Sequence, residues 1–326
     1  MYMLKAGVLG AGHLGKIHIK LLKEVEGVEL VGFYDPDDGN AAFAEKEFDT
    51  TSFDSMEKLV AACDMVDIVT PTLSHYECAE YAIKEGKHIF IEKPLTNTLE
   101  EAELLLALVE EADIKAQVGH VERFNPAFLA LSDVDFKPMF IETHRLAMFN
   151  PRGTDVSVVM DLMIHDIDII LSITNANVQR ISASGVPVLS SSPDIANARI
   201  EFDNGCVANV TASRISMKNM RKMRVFQPEC YISVDFLKKK SEVIKISDNK
   251  PEHIENPLSL ETNEGEKFID ISMPEIKNVN SIKLELEMFR DAILQDSETA
   301  VSVEDGYNAM KIASQILQKI NKNQTV

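Results

Sequence analysis

Positive charge is scarce in this sequence. Its 326 residues carry 33 Lys and Arg against 52 Asp and Glu, which gives a formal net charge of -19. Proteins that bind nucleic acid or an anionic membrane surface need clustered positive charge, so the chain is a poor candidate for either class. An anionic substrate would need a local basic pocket against the overall negative field. We therefore expect a small-molecule partner and no nucleic-acid or membrane partner.

Cysteine and long apolar runs are also scarce. The four cysteines, at positions 63, 78, 206 and 230, include no C-x-x-C pair, so neither a zinc site nor a disulfide framework is indicated. No apolar run reaches transmembrane length, and a glycine-rich turn interrupts the first apolar stretch. These absences predict reduced thiols, no metal site and a cytoplasmic location.

The chain has enough apolar sequence for two domains. Hydrophobic residues make up 45% of its positions, which is an ordinary share for a globular protein. The pattern changes between residues 120 and 140, from strands that alternate with helices to several strands in succession. We therefore predict a first domain over residues 1–120 and a second over 121–326, whose C-terminal helices at 281–326 could pack back toward the first.

A glycine-rich turn opens the predicted first domain. A short apolar strand at 5–9 precedes the motif G-x-G-x-x-G, and a helical pattern follows at 16–25. In this setting the glycines permit a tight turn, close approach of a pyrophosphate and close packing of helix on strand. The alternative is a glycine-rich turn without a ligand. The motif residues expected to bind a cofactor are Gly10, Gly12, His13, Leu14 and Gly15.

A second predicted strand, at 29–34, ends in Asp35. An acidic side chain about 20 residues beyond such a glycine motif binds the ribose 2′-hydroxyl of NAD. Asp37 and Asp38 follow instead of an arginine, which disfavours a 2′-phosphate. The alternative is an aspartate that only caps a helix. The sequence therefore predicts NAD as the cofactor, with NADP less favoured.

The alternation of strands and helices continues to residue 118. Further strand-like and helical segments lie, in chain order, at 54–62, 65–70, 74–85, 88–91, 98–111 and 115–118. This order predicts a doubly wound parallel sheet of the α/β Rossmann class, and ligands bind at the carboxyl ends of such strands. The residues at or just beyond these ends are Thr70, Pro71, His75, Glu92, Lys93, His120 and Glu122, and the first five of these are expected to contact the cofactor.

The second half of the chain predicts an α+β domain with a large, mostly antiparallel open sheet. Its strand-like runs lie at 139–148, 180–188, 196–202, 206–213, 223–226, 230–235 and 242–246. Asn204-Gly205 between two of them indicates a hairpin turn. Residues 248–265 predict a long loop, and helices are expected at 281–294 and 303–320. Such a sheet usually leaves one face for ligand or subunit packing, so we expect a homodimer or homotetramer.

Residues 159–171 form an apolar run that is too long for a typical strand and predicts a helix. At roughly 100° per residue, Asp161, His165 and Asp168 fall on one stripe. A carboxylate and an imidazole one turn apart can act together, because the carboxylate orients the ring and the other ring nitrogen transfers a proton. One alternative is an ordinary solvent face, since polar residues continue the stripe. Another is a metal site, although no second ligand cluster stands out.

Several cations could hold a substrate. Lys93 follows an apolar strand and could donate to a substrate hydroxyl, or it could be an ordinary loop lysine. Arg145, Arg152 and the segment 120–125 flank the predicted domain junction, where ligands are often bound. The basic run at 214–224 could bind a diphosphate, but a solvated hairpin loop is the favoured interpretation.

Five segments of the chain resemble the Gfo/Idh/MocA family of nicotinamide-dependent oxidoreductases. They are GVLGAGHLG near the start, TPTLSH at 70–75, EKP at 92–94, DLMIHDID at 161–168 and VSVEDGYNAMKIASQIL near the end. The resemblance covers essentially the whole chain. In that family the lysine of EKP and the aspartate and histidine of D-x-x-x-H line the active site, which implies Lys93, Asp161 and His165 here. Family members often carry glycines before that aspartate, where this chain has V-V-M.

A narrower similarity lies in GHVERFNPAF at 119–128. This segment resembles the branch of the family that oxidises UDP-N-acetylglucosamine, or its uronic acid, at C3. The resemblance implies that Glu122, Arg123, Asn125 and Pro126 lie near the nucleotide sugar. Arginines such as Arg145 and Arg152 would then be candidates for holding the diphosphate.

These patterns together predict a dehydrogenase that transfers a hydride between a sugar carbinol carbon and nicotinamide. His165 is expected to be the general base in contact with the substrate, Asp161 to orient it, and Lys93 to stabilise the developing alkoxide. One alternative is a dehydrogenase of the same fold for a free sugar, inositol or another small carbonyl compound. The other is a non-catalytic NAD(H)-binding sensor, which has no need of these three side chains.

Overall fold

The computed structural model describes residues 3–150, 156–251, 254, 257–263 and 265–324. The chain divides into two compact units. The first comprises Met1–Phe124 and Val279–Lys311, and the second comprises Asn125–Asn278 and Ile312–Val326. Among the helices described, none has both the length and the apolar character needed to cross a membrane.

A parallel sheet forms the centre of the first unit, as the sequence predicts. Among the residues described it has five strands in the spatial order β2-β1-β3-β4-β5: β1 (Leu4–Leu9), β2 (Val28–Tyr34), β3 (Met65–Ile68), β4 (His88–Glu92) and β5 (Ala116–Gly119). The helices between them are α1 (His13–Leu22), α2 (Asp38–Phe48), α3 (Met56–Ala62), α4 (His75–Lys84) and α5 (Leu99–Ala112). Helices cover both faces of such a sheet, so its strands are almost wholly apolar. Their carboxyl ends meet at one edge.

The first turns of two helices show what the sequence does and does not reveal. At α5, Thr98 Oγ1 accepts the Glu101 N–H at 3.2 Å and Glu101 Oε2 accepts the Thr98 N–H at 3.0 Å. This reciprocal pair is a capping box and marks a helix start in sequence. The helix α2 was not predicted, because Gly39 and Asn40 in its first turn have low helix propensity and its apolar stripe buries little beyond Ala44.

A large sheet dominates the second unit. Among the described residues it has nine strands in the order β13-β14-β12-β11-β10-β6-β9-β8-β7. They are β6 (Phe140–Leu146), β7 (Val178–Val186), β8 (Ile195–Phe202), β9 (Val207–Ser213), β10 (Met220–Gln227), β11 (Cys230–Asp235), β12 (Lys240–Ser247), β13 (Leu258–Thr262) and β14 (Gly265–Ser272). Neighbouring strands are antiparallel except for the parallel pair β6 and β9. The predicted hairpin turn is confirmed, with φ +86° at Gly205 between β8 and β9.

The hairpin of β13 and β14 corrects one prediction. A loop was expected over 248–265, but Leu258–Thr262 pairs with β14 in an antiparallel register. All five residues of β13 are exposed, so its alternation of apolar and polar side chains does not reflect a buried face. Edge strands of this kind are difficult to recognise, because packing decides strand formation more than residue type does.

Four more helices complete the described chain: α6 (Pro126–Leu129), α7 (Ile164–Thr174), α8 (Ser281–Leu294) and α9 (Val303–Gln324). The helix α8 belongs to the first unit, where Leu286 and Phe289 join the core around Phe33 and Phe90. The rings of Phe90 and Phe289 lie 6.0 Å apart. Through these two side chains, α8 shares one hydrophobic core with α1 and the parallel sheet.

Candidate active site

The glycine-rich turn between β1 and α1 leaves room for a ligand at the start of the helix. Gly10 has φ +99°, and a Cβ there would lie 2.8 Å from the Val69 oxygen. A Cβ on Gly15 would overlap the Gly10 carbonyl, so both positions require glycine. Gly12 is the N-cap of α1, and nothing lies within 4 Å of its Cβ position. Free N–H groups at such a helix start bind phosphate, so the turn fits a dinucleotide pyrophosphate. His13 and Leu14 form the first turn of α1.

Asp35 lies beside this turn, directly after β2. Its Oδ2 accepts the Ala11 N–H at 2.6 Å, and its Oδ1 accepts the Asp37 N–H at 2.9 Å. The carboxylate is therefore fixed next to the glycine motif, where a ribose hydroxyl could donate to it. Asp37 caps α2 by accepting the Asn40 N–H at 2.7 Å. A 2′-phosphate would meet negative charge at this place.

The segment Glu92-Lys93-Pro94 follows at the carboxyl end of β4. Lys93 is half-buried, and its backbone N–H donates to Glu92 Oε2 at 3.2 Å. The Lys93–Pro94 peptide bond is cis. The Glu92 carboxylate faces the interior of the unit, 3.3 Å from His18 Nε2. A contact of Glu92 with the cofactor stays a prediction.

His75 connects this segment to the end of β3. Its Nδ1 lies 2.9 Å from the Pro94 oxygen, and its Nε2 lies 2.9 Å from the Thr70 oxygen. Burial lowers the pKa of His75, although the two carbonyl groups oppose this effect. The structure therefore places His75 between the loops after β3 and β4. Contacts of Thr70, Pro71 and His75 with the cofactor stay predictions.

The helix that carries Asp161 and His165 begins with one π turn. Residues Val159–Met163 form this turn, and α7 follows directly. The prediction of one regular helix over 159–171 is therefore wrong at its start, because a π turn changes the phase between Asp161 and His165. Such turns are frequent at functional sites. Asp161 and His165 are half-buried, while Asp168 is 1% exposed, so the stripe is not a solvent face.

A buried ion pair anchors this helix to the sheet. Arg145, on β6, donates through Nε to Asp166 Oδ2 at 3.1 Å and through Nη2 to Asp166 Oδ1 at 2.8 Å. Both side chains are 3% exposed. Such a bidentate pair has a fixed geometry. It therefore fixes α7 to β6 at Asp166, the residue that follows His165. A contact of Arg145 with substrate stays a prediction.

The segment after β5 forms a tight turn with several buried polar side chains. Residues Val121–Phe124 make a single 3-10 turn in which Glu122 is buried, and His120 before it is also buried. Arg123 Nη2 lies 3.4 Å from Asp305 Oδ1 in the first unit. In the second unit, Asn125 caps α6 by accepting the Ala127 N–H at 3.0 Å. Arg152 lies outside the described residues.

The sequence and the solved structures of known proteins identify the family. Residues 4–120 match an oxidoreductase family with an NAD-binding Rossmann fold, and residues 135–232 match the Gfo/Idh/MocA C-terminal domain. The UDP-N-acetylglucosamine 3-dehydrogenase of Acidithiobacillus ferrooxidans is 40% identical over 238 residues, which are 73% of this chain and 75% of that protein. The chain belongs to the Gfo/Idh/MocA family of oxidoreductases.

One further relative and one solved structure support the same assignment. The NAD(+)-linked scyllo-inositol 2-dehydrogenase of Bacillus subtilis is 34% identical over 66% of this Gfo/Idh/MocA chain and 68% of its own length. The solved UDP-N-acetylglucosamine 3-dehydrogenase of A. ferrooxidans matches with a TM-score of 0.88 and 32% identity over 98% of both chains. The chain is therefore an oxidoreductase with an NAD-binding Rossmann domain and a second domain built on a large, mostly antiparallel sheet.

The basic run at 214–224 is divided between a loop and a strand. Residues 214–219 connect β9 to β10, and 217–219 are exposed, as the favoured interpretation of a solvated loop predicts. The other five residues begin β10, where Arg224 pairs with Glu142 at 2.9 Å and Lys222 lies 3.6 Å from Asp235. Arg214 is buried and donates to the Val156 oxygen. Cross-strand pairs of opposite charge stabilise a sheet, so these cations are largely engaged within the second unit.

Metal binding finds no support in the part of the chain that the structure describes, where no group of three or more His, Cys, Asp or Glu side chains has suitable geometry. Two buried side chains of this family member were missed from sequence. Asp67 is a charged residue within the apolar strand β3, and His18 lies on the buried face of α1. A charged residue inside an apolar strand was the available signal, because buried charges are nearly always paired.

Proposed function

We propose that this chain is an NAD-dependent dehydrogenase that oxidises a UDP-N-acetylhexosamine at C3. The observation that carries the proposal is the structural match to a UDP-N-acetylglucosamine 3-dehydrogenase, with a TM-score of 0.88 over 98% of both chains. The segment at 119–128 adds support, because it resembles the branch of the family with this activity. Among its residues, Glu122, Arg123 and Asn125 are the proposed substrate contacts.

The proposed cofactor is NAD rather than NADP. The glycine cradle and the helix N-terminus at Gly12 suit a pyrophosphate, and Asp35 suits a ribose 2′-hydroxyl. When bound, NAD supplies the hydride acceptor at the nicotinamide C4. The protein residues then have to position the sugar and move its hydroxyl proton.

Three side chains are proposed to manage that proton. His165 withdraws it as the general base, since an imidazole with a pKa of about 6.5 is suited to proton transfer near neutral pH. Asp161, four residues before it, orients the imidazole ring. The Lys93 ammonium donates a hydrogen bond to the same substrate oxygen and stabilises its developing negative charge. Diphosphate contacts of Arg145 and Arg152 stay predictions, as do a cytoplasmic location and a homodimer or homotetramer.

A second candidate is a dehydrogenase for inositol or a free sugar. It is favoured by the 34% identity to the scyllo-inositol 2-dehydrogenase of B. subtilis. A non-catalytic NAD(H) sensor is the weaker alternative, because a sensor does not require Lys93, Asp161 and His165.

Substrate-dependent NADH formation distinguishes these candidates. The purified chain is incubated with NAD or NADP and, in separate reactions, with UDP-N-acetylglucosamine, its uronic acid, N-acetylglucosamine, myo-inositol or scyllo-inositol. We expect NADH only with a UDP-sugar, and faster reduction of NAD than of NADP. Reduction with inositol alone would support the second candidate, whereas binding of NADH without turnover of any compound would support the sensor.

A further inference from the structure

A cluster of ionisable side chains lies buried in the first unit, behind the segment that carries Lys93. It combines His18 from α1, Asp67 from β3, Glu92 from β4 and Glu285 from α8. His18, Asp67 and Glu285 are fully buried and Glu92 is 7% exposed. None of these side chains has a part in the proton transfer proposed above. Buried charges of this kind contribute little net stability, so their arrangement calls for another explanation.

His18 lies between two carboxylates. Its Nδ1 is 2.9 Å from Asp67 Oδ2, and its Nε2 is 3.3 Å from Glu92 Oε1. Burial alone would lower the pKa of His18, but the charge of Asp67 and the hydrogen bonds to both carboxylates outweigh it and hold the pKa well above its usual value. An imidazole can donate from both nitrogens only when it is protonated. The ring therefore lies between Asp67 and Glu92, and its raised pKa favours the protonated form.

The fourth member of the cluster completes the charge balance. Burial raises the pKa of Glu285 well above its usual value, and the charges of Glu92 and Asp67 add to this effect. The raised pKa favours the protonated form of Glu285. Its backbone oxygen accepts a hydrogen bond at 3.0 Å from the buried Gln117 side chain on β5. The His18 ring thus lies between the carboxyl groups of Asp67 and Glu92, and Glu285 is buried in the same cluster.

The Glu92 carboxylate is confined on its other sides as well. Its Oε2 accepts the backbone N–H of Lys93 at 3.2 Å. Gly119, its partner on β5, leaves the space that the carboxylate fills, since a Cβ there would lie 2.8 Å from Glu92 Oε1. A chain of contacts therefore leads from Asp67 through His18 and Glu92 to the backbone of Lys93.

We propose that His18 is a positioning residue for Lys93. Together with Asp67 it holds the Glu92 carboxylate against the Lys93 N–H, and so fixes the turn from which the Lys93 ammonium reaches the substrate oxygen. The inference rests on the proposed function, because it takes Lys93 to be catalytic. A displacement of about 1 Å at a reacting group can cost about 10²-fold in rate, so a positioning role has a measurable size.

Two substitutions of His18 separate positioning from packing. In His18→Gln the amide reaches the place of Nε2 and keeps the contact with Glu92. In His18→Asn the amide reaches the place of Nδ1 and keeps only the contact with Asp67. Both variants remove the imidazolium and lower Tm. We expect kcat to fall about 10-fold or more in His18→Asn and to be largely retained in His18→Gln, with an unchanged Kd for NADH in both.

A matched pair of glycine variants tests the same contact from the opposite side. Gly119→Ala places a methyl group against the Glu92 carboxylate. Gly306→Ala, in the first turn of α9, places one 2.8 Å from a Val118 methyl carbon on the same strand. We expect kcat to fall in Gly119→Ala and to stay near wild type in Gly306→Ala. This pair tests the inference even if neither His18 variant folds.

The four variants and Lys93→Ala are all assayed with the same substrate. It is the compound, among those tested under the proposed function, that the wild type oxidises fastest. The inference is supported if Lys93→Ala loses turnover, if kcat is lower in His18→Asn than in His18→Gln, and if it is lower in Gly119→Ala than in Gly306→Ala. If Lys93→Ala loses turnover but kcat is equal within the His18 pair and within the glycine pair, the positioning role of His18 is overturned and the proposed function stays intact. Near-wild-type turnover in Lys93→Ala overturns the role of Lys93 and the inference together.

Discussion

Lys93 and His165 are held by buried charges of two different kinds. In the first unit, side chains from α1 and β3 act on the Glu92 carboxylate, one residue before Lys93. In the second unit, the single pair of Arg145 and Asp166 ties β6 to α7, one residue after His165. The network acts on a short turn at a strand end, whereas the ion pair acts on a whole helix.

Because of this difference, we expect loss of the network and loss of the ion pair to change different measured quantities. A loosened turn leaves the parallel sheet and its core intact, so damage to the network should appear mainly in turnover. A broken ion pair removes a charged partner from a buried side chain, so damage there should appear mainly in the free energy of unfolding. We therefore expect the network to serve geometry in the first unit and the ion pair to serve stability in the second.

The largest effect is expected from loss of the proposed catalytic side chains. Lys93→Ala and His165→Ala should each lower kcat by about 10²–10⁴-fold, the usual loss for a positioned acid or base. NADH affinity should be retained, which fluorescence titration of NADH measures. Lys87→Ala and His144→Ala are matched controls at half-buried positions and should turn over normally. Near-wild-type kcat in both catalytic variants would refute the assignment.

Breaking the helix anchor should have the next largest effect. Asp166→Asn removes the carboxylate charge that the buried Arg145 guanidinium contacts at 2.8 Å, and it should lower the free energy of unfolding by about 3–5 kcal/mol. Glu142→Gln is the control, because its pair with Arg224 links β6 to β10 with side chains 34% and 42% exposed, and such pairs contribute about 1 kcal/mol or less. Urea unfolding measures both. Equal losses of unfolding free energy in Asp166→Asn and Glu142→Gln would contradict the distinction between the buried pair and the partly exposed pair.

Neutralising Asp194, a carboxylate held by backbone N–H groups, should have a smaller effect on the free energy of unfolding, and this effect should depend on pH. Asp194 Oδ2 accepts the N–H groups of Val188, Leu189 and Ser190 at 2.8, 2.6 and 3.0 Å. Burial alone would raise the pKa of Asp194, but these hydrogen bonds outweigh it and hold the pKa well below its usual value. We expect Asp194→Asn to lower the free energy of unfolding by about 1–3 kcal/mol near neutral pH.

The sign of the pH dependence follows from the lowered pKa. The stabilisation by Asp194 is fully present above the unfolded pKa of about 3.9 and is lost as the pH falls toward the folded pKa. The difference between wild type and Asp194→Asn should therefore shrink in acid. Unfolding in urea at neutral pH and below about pH 4 measures this change, and an equal difference at both values would contradict the account.

The smallest expected effect concerns the cofactor. Asp35→Asn keeps an acceptor for the Ala11 N–H but removes the charge that faces the ribose. We expect the Kd for NADH to rise about 10-fold, equivalent to about 1.4 kcal/mol, and the preference for NAD over NADP to fall. Asp38→Asn, at the first residue of α2, is the control. Unchanged selectivity in Asp35→Asn would argue against its role at the 2′-hydroxyl.

The first unit was the more predictable from sequence. Four of its strands are short, almost wholly apolar runs, and the glycine motif between β1 and α1 has a local meaning that needs no tertiary information. The network behind Lys93 was not foreseen, because His18 and Glu285 are far apart in sequence and meet only in the folded unit. Asp67 inside an apolar strand was the one local sign of it.

The second unit was predicted in outline and missed in detail. The alternation of apolar and polar residues predicted most of its strands, since one face of that sheet is buried. The π turn at Val159–Met163 was missed, because an apolar run gives no sign of a change in helical phase. The ion pair of Arg145 with Asp166 was missed for a related reason: it depends on which face of α7 meets β6.

Transfer of the C3 hydrogen tests the central claim most directly. The wild-type chain is incubated with NAD and UDP-N-acetylglucosamine that carries deuterium at C3, and the reduced cofactor is analysed by mass spectrometry. The account predicts that the label moves to the reduced cofactor, that turnover slows by a primary isotope effect when hydride transfer limits the rate, and that Lys93→Ala and His165→Ala abolish most of the transfer. Unlabelled NADH formed from this substrate, or no reduction of NAD at all, would contradict it.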